Sequence, residues 1–143
     1  MIVNRILSLK GRDVITIDTD RSLSEAAQAL AEHRIGALLV IGAQGSVAGI
    51  ISERDIVRAV AAQGAAALQE PLARFMTEKV LTCTGDTSIN DVMELMTRQK
   101  FRHLPVVEGG RLVGIISIGD VVKLRMEEVE GEAEAIRNYI ATA

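Results

Sequence analysis

Gly49-Ile50-Ile51-Ser52-Glu53-Arg54-Asp55-Ile56-Val57 is a short apolar run that turns at a serine into a helical pattern. It recurs as Gly114-Ile115-Ile116-Ser117-Ile118-Gly119-Asp120-Val121-Val122. In each copy two β-branched residues follow a glycine, which suits a buried strand. Ser52 and Ser117 stand where a helix N-cap is wanted. Asp55 and Asp120 follow three residues later, the capping-box spacing with Asp in the Glu/Gln place. The same strand-to-helix unit occurring twice marks an internal duplication.

The duplication holds residue by residue. An offset of 66 matches Val14 with Val80, Thr16 with Thr82, Ser22 with Ser88, Leu38 with Leu104 and Val40 with Val106. One extra residue in the loop Gly42-Ala43-Gln44-Gly45 lowers the offset to 65, and Gly49 then meets Gly114. A single unit of about 60 residues buries too little surface to be more than marginal alone, so two are expected to pack together.

Working outward, Val14–Ile17 reads as a strand and Ser22-Leu23-Ser24-Glu25 as a capping box. Leu23, Ala26, Ala27 and Leu30 then fall on one helical stripe, with Gly36 as its stop. Residues 37–41 and 47–51 read as strands and 53–62 as a helix. The second unit repeats the order with a strand at 80–83, a helix at 89–99, strands at 104–107 and 112–116, and a helix from about 119. Its Ile89, Val92, Met93, Met96 stripe is core, since Met fills gaps well. The expected division is 1–66 for the first unit with its lead-in helix, 67–126 for the second, and 127–143 for an acidic helical tail. In that tail Val129, Ala133, Ile136 and Ile140 share a face that Gly131 interrupts.

The bulk numbers narrow the function. Hydrophobic residues make up 48% of the chain and aromatics only 2%, so the core is aliphatic. Net charge is −3 over 143 residues, which disfavours nucleic-acid binding. The single Cys83 excludes an intrachain disulfide and a Cys-built zinc site. No apolar run approaches 18 residues and no signal peptide is visible, so a soluble, cytoplasmic chain without a membrane partner is expected. No nucleophile elbow, Walker loop or metal-ligand cluster is present, which argues against an enzyme.

The paired Gly-Ile-Ile-Ser-x-x-Asp signature, the βαββα order and Phe101-Arg102-His103-Leu104-Pro105-Val106-Val107 together resemble the tandem CBS-domain pair, or Bateman module. The resemblance runs from residue 1 to about 126. It implies an α+β fold of two pseudo-symmetric CBS units packed sheet to sheet, with clefts between them for adenosyl compounds such as AMP, ADP, ATP or NAD. It also implies a regulatory role exerted through an effector protein, and disc-like homodimers. The apolar helices around Ile56, Val57 and Val60 and around Val121, Val122 and Leu124 fit such a dimer. The alternative is a ligand-free dimerisation scaffold.

A nucleoside needs a carboxylate for the ribose diol, donors for phosphate and an apolar slot for the base. Asp55 and Asp120 are the ribose candidates, and Ser52 and Ser117 stand at helix starts where phosphate is welcome. Each Ser-Asp pair is equally a plain helix cap, and one serine can do both. In the family pattern Arg102 and His103 offer phosphate contacts, and Leu104-Pro105 wall the base. Ile17, Asp18 and Thr84 close the opposite side. The repeats differ here, because Arg102-His103 aligns with Gly36-Ala37 and Arg54 with Gly119. His33, at a helix end, is structural.

Overall fold

A computed structural model of the chain describes residues 1–142. Two compact units form. One is Val14–Val80; the other joins Met1–Asp13 to the chain from Leu81 onward.

In the first, β1 (Thr16–Asp18) crosses over through α2 (Leu23–His33) to β2 (Ala37–Ile41), with which it pairs in parallel. β2 then pairs antiparallel with β3 (Val47–Ser52), and α3 (Glu53–Gln63) follows directly. Ser22 and Glu25 make the expected capping box. The helix ends earlier than Gly36, because Arg34 itself takes the left-handed conformation (φ 54°) and its N–H closes the last turn. Leu23, Ala26, Leu30, Leu38, Val40, Ile51 and Leu72 make the core. Full burial of such a side chain contributes about 1.5–3 kcal/mol.

In the other unit, α4 (Ile89–Gln99) packs on the hairpin of β4 (His103–Glu108) and β5 (Arg111–Ser117). The hairpin turns through Gly109 and Gly110, both at positive φ (57° and 77°), as a two-residue turn requires. α5 runs unbroken from Ile118 to Thr142, through Gly131, so the expected interruption is absent. The expected strand at 80–83 is reduced to one parallel bridge, Cys83 to Val106. The bridge is made by the Cys83 N–H, which donates to the Pro105 carbonyl at 3.0 Å, and the Val107 N–H, which donates to the Cys83 carbonyl at 2.8 Å. Among the described residues, no helix is long and apolar enough to cross a membrane.

The division at residue 66 is not the one the structure makes. α1 (Val3–Lys10) does not join the strand that follows it. Its Val3, Ile6 and Leu7 enter the core of Cys83, Ile89, Val92, Met96, Leu104, Val106 and Ile116. The Val3 and Asn4 N–H groups donate to the carbonyls of Thr87 and Gly85, each at 2.9 Å. Reciprocally, residues 67–80 belong with the first repeat. Leu72 is buried there, and Thr77 exchanges both backbone hydrogen bonds with Ile50, at 2.9 and 3.0 Å. Each lead-in segment thus covers the other repeat's sheet. The signature glycines allow it. A Cβ at Gly49 would stand 2.6 Å from the Thr77 carbonyl oxygen, and one at Gly114 2.6 Å from Leu7 Cδ2.

Candidate functional site

The two signature carboxylates are built alike and occupied differently. Ser52 Oγ accepts from the Asp55 N–H at 3.2 Å, and Asp55 Oδ2 accepts from the Ser52 N–H at 2.9 Å and its hydroxyl at 3.0 Å. Ser117 and Asp120 repeat this geometry, with the Asp120 N–H donating to Ser117 Oγ at 3.1 Å and Oδ2 accepting from the Ser117 N–H at 2.9 Å. Both pairs are therefore helix caps, holding the carboxylates at the starts of α3 and α5. In each case the bonds converge on Oδ2. No hydrogen bond or ion pair to Oδ1 of Asp55 or Asp120 is seen among the described residues.

Asp120 has a further partner. Lys10 Nζ, from α1, donates to Asp120 Oδ2 at 2.8 Å and to the Ile115 carbonyl at 3.0 Å. Burial pushes the Asp120 carboxyl up, but the Lys10 hydrogen bond, the Ser117 N–H and the ammonium charge outweigh it and hold it below the ordinary carboxylate range. No cation pairs with Asp55 among the described residues; the repeat offset puts Met76 where Lys10 would be. Lys10 is the residue that sequence reasoning missed. The only signal was its place one turn before the first strand, and the exchange of lead-ins hides which carboxylate it meets.

Around the α5 start, basic residues gather. His103 lies opposite Ser117 in the β4–β5 register, and the Ile118 N–H donates to the Arg102 carbonyl at 2.8 Å. Arg102 is exposed and His103 half-buried. At the α3 start the same places hold Ala37 opposite Ser52 and the Gly36 carbonyl, with Arg54 exposed on the first turn. One helix N-terminus thus carries a basic rim and a neutralised carboxylate, the other an unneutralised carboxylate.

The remaining candidates divide. Leu104 is buried with Val106 and Ile116 in its own unit's core, so its side chain is packing and only its backbone can face a ligand. Pro105, one residue on, alternates to the other face of the strand. Ile17 packs against the first repeat's core, while Asp18 is exposed at the end of β1. Thr84 is exposed and bonded to Thr87. Each unit assembles its own serine and carboxylate. Within one unit His103 also lies opposite Ser117, and the Arg102 carbonyl meets the Ile118 N–H at the start of the helix that carries Asp120.

The CBS-domain model matches residues 8–62 and 72–127. The CBS domain-containing protein CBSX3, mitochondrial, of Arabidopsis thaliana is 33% identical over 146 aligned positions, 96% of this chain and 71% of that protein. The CBS-domain containing protein ATU1752 from Agrobacterium tumefaciens is 52% identical with a TM-score of 0.85, over 87% of this chain and 92% of that one. The CBS domain pair of protein MJ0100, in complex with 5′-methylthioadenosine and S-adenosyl-L-methionine, is 29% identical with a TM-score of 0.79, over 90% of this chain and 98% of that one. With two matched domains spanning most of its length, the chain belongs to the CBS-domain family, as a tandem pair.

Proposed function

We propose that this CBS pair is a non-catalytic sensor of an adenosyl nucleotide (AMP, ADP, ATP or NAD) that reports its occupancy to an effector protein. The observation that carries the reading is the unequal state of the two carboxylates. Asp55 is held in place by its cap and, among the described residues, pairs with no cation and has no hydrogen bond to Oδ1, which is what a ribose diol needs from an acceptor. Asp120 already holds Lys10. With that charge cancelled, the α5 N-terminus, Ser117, Arg102 and His103 suit an anionic phosphate.

In this reading Asp55 takes the ribose, with Ser52 and Arg54 on its rim and the backbone at Ile17 and Asp18 offered to the base; Thr84, Leu104 and Pro105 are the base candidates of the other unit. The MJ0100 pair, bound to two adenosyl compounds, supports the ligand class. Mass spectrometry of the denatured, freshly purified chain, with calorimetry against AMP, ADP, ATP, NAD and GMP, tests it. Adenosyl ligands binding at least tenfold more tightly than GMP is the expected result. No adenosyl binding at millimolar ligand would leave the ligand-free scaffold.

A further inference from the structure

The second half of α5 leaves its unit. Val121 and Leu124 face inward and are buried, but from residue 129 to 142 every residue is exposed. Fourteen residues are about 21 Å of helix. A helix of that length without packing is marginal in water, so its stability requires a partner. Val122, Met126, Val129, Ala133, Ile136 and Ile140 recur at alternating spacings of four and three. That is a heptad seam, with Val122, Val129 and Ile136 at d and Met126, Ala133 and Ile140 at a. The large members are solvent-exposed, from 44% at Val122 to 67% at Ile140. Gly131 falls at f, on the opposite side, where a missing side chain removes nothing from the seam; a Cβ there would meet nothing within 4 Å.

The flanking charges select the partner. The g positions are Arg125, Glu132 and Tyr139, and the e positions Lys123, Glu130 and Arg137. In a parallel, in-register pair each g residue meets the e residue five further on in the other chain. Arg125 then meets the other copy's Glu130, and Glu132 the other copy's Arg137. Two-fold symmetry repeats both opposite-charge pairs. Arg125 meanwhile bonds Glu128 of its own helix at 2.9 Å and shares itself between the two. The antiparallel alignment that keeps all six layers sets Lys123 against Arg137 and Glu130 against Glu130, both repulsive. Registers that relieve this lose layers.

We infer that α5 is a parallel, two-stranded coiled-coil interface with a second copy of this chain, sealed by Val122 to Ile140 and fixed in direction by Arg125–Glu130 and Glu132–Arg137. Shallow depressions beside Val122 and Met126, one bordered by Met93 and Val129 and the other by Ile118 and Lys123, give the root of the seam room to seat the partner helix. Of the α5 residues expected at a dimer interface, Val122 opens this seam, while Val121 and Leu124 lie in the core of their own unit. It also does not depend on nucleotide binding.

Sedimentation velocity on the full chain, with its variants, tests the inference. The wild type is expected to be a dimer at micromolar concentration. Val129→Asp with Ile136→Asp is expected to weaken it at least tenfold while Cys83 stays protected from alkylation, which shows that the body remains folded. Arg125→Glu with Arg137→Glu, and separately Glu130→Arg with Glu132→Arg, should each weaken self-association, and mixing the two should restore a dimer. In a Cys83→Ser background, Ile140→Cys should give a disulfide-linked dimer, because parallel strands place residue 140 beside its own copy. A monomeric wild type, an aspartate variant that dimerises unchanged, or a dimer in which Ile140→Cys does not cross-link would each overturn the inference.

Discussion

Lys10 Nζ lies 2.8 Å from Asp120 Oδ2, so a residue in the first turns of the chain neutralises the signature carboxylate of the second repeat. The equivalent carboxylate of the first repeat, Asp55, has no such partner among the described residues. Two copies of one motif thus differ in local charge, one neutralised and the other negative.

The first prediction follows from that charge. Lys10→Met installs the side-chain type that the repeat places at 76 and leaves Asp120 anionic beside the α5 N-terminus. A free carboxylate there repels phosphate. AMP affinity should fall several-fold while adenosine affinity changes little, as read by calorimetry. An equal loss for both ligands would remove the phosphate from this helix end.

Asp120 also sets a pH dependence. Its folded carboxyl titrates below the ordinary value because Lys10 and the Ser117 N–H outweigh burial. A depressed carboxyl stabilises the fold above the unfolded pKa, about 3.9, and that contribution is lost as pH falls through the lower folded value. Asp120→Asn keeps an acceptor for the cap but removes the charge. The stability gap between wild type and Asp120→Asn, from urea denaturation, should be flat between pH 7 and 5 and close below about pH 4. It should be small, on the order of 0–1 kcal/mol, since both partners are partly solvated.

For Asp55 the expected signature lies in the ligand. A carboxylate bonded to the ribose makes charge-assisted bonds whose loss costs about 1.5–3 kcal/mol, roughly 10- to 150-fold in affinity. 2′-Deoxy-AMP should bind the wild type at least about tenfold more weakly than AMP. In Asp55→Ala the two should bind nearly alike, and in Asp120→Ala the gap should persist. Asp55→Ala also loses its cap, about 1 kcal/mol of stability, so binding is compared at temperatures where both variants are folded.

Much of this was legible in the sequence because the duplication doubled every signal. Ser22-Glu25, Ser52-Asp55 and Ser88-Asp91 announce helix starts that the structure caps as read. The stripes of α2 and α4 bury Leu23, Ala26 and Leu30 and Ile89, Val92 and Met96 as their spacing says, whereas Ala27 is only half-buried. What the sequence withheld is non-local. Nothing in residues 1–13 says that they cross to the second repeat, because Val3, Ile6 and Leu7 would suit either core. The Lys10 contact depends on that crossing.

Cys83 gives a direct check on that core. It is buried and its thiol is pushed up to about 11 by desolvation. The thiolate is the reactive form, so a thiol reagent at pH 8 should modify the native chain far more slowly than the urea-unfolded chain. Met96→Ala, which opens the same cluster, should accelerate modification by raising the population of open states.

The exchanged lead-ins make the last prediction, and the two glycines separate its parts. At Gly114 a new Cβ meets Leu7 Cδ2 at 2.6 Å, the flexible end of a side chain. At Gly49 it meets the Thr77 carbonyl oxygen at 2.6 Å, and that carbonyl also accepts the Ile50 N–H at 3.0 Å. Overpacking of this kind costs about 1–3 kcal/mol when side chains can move and more when they cannot. Gly49→Ala should therefore destabilise more than Gly114→Ala in urea denaturation. The double variant Gly114→Ala with Leu7→Ala should be more stable than the sum of its single effects predicts, because removing Leu7 Cδ2 removes the clash. Met76→Ala should give Gly49→Ala little such relief, since the carbonyl stays in place. Equal coupling in both cycles would mean that the lead-in at 72–77 yields as easily as a side chain, and the backbone pairing of Ile50 with Thr77 would not be what holds it.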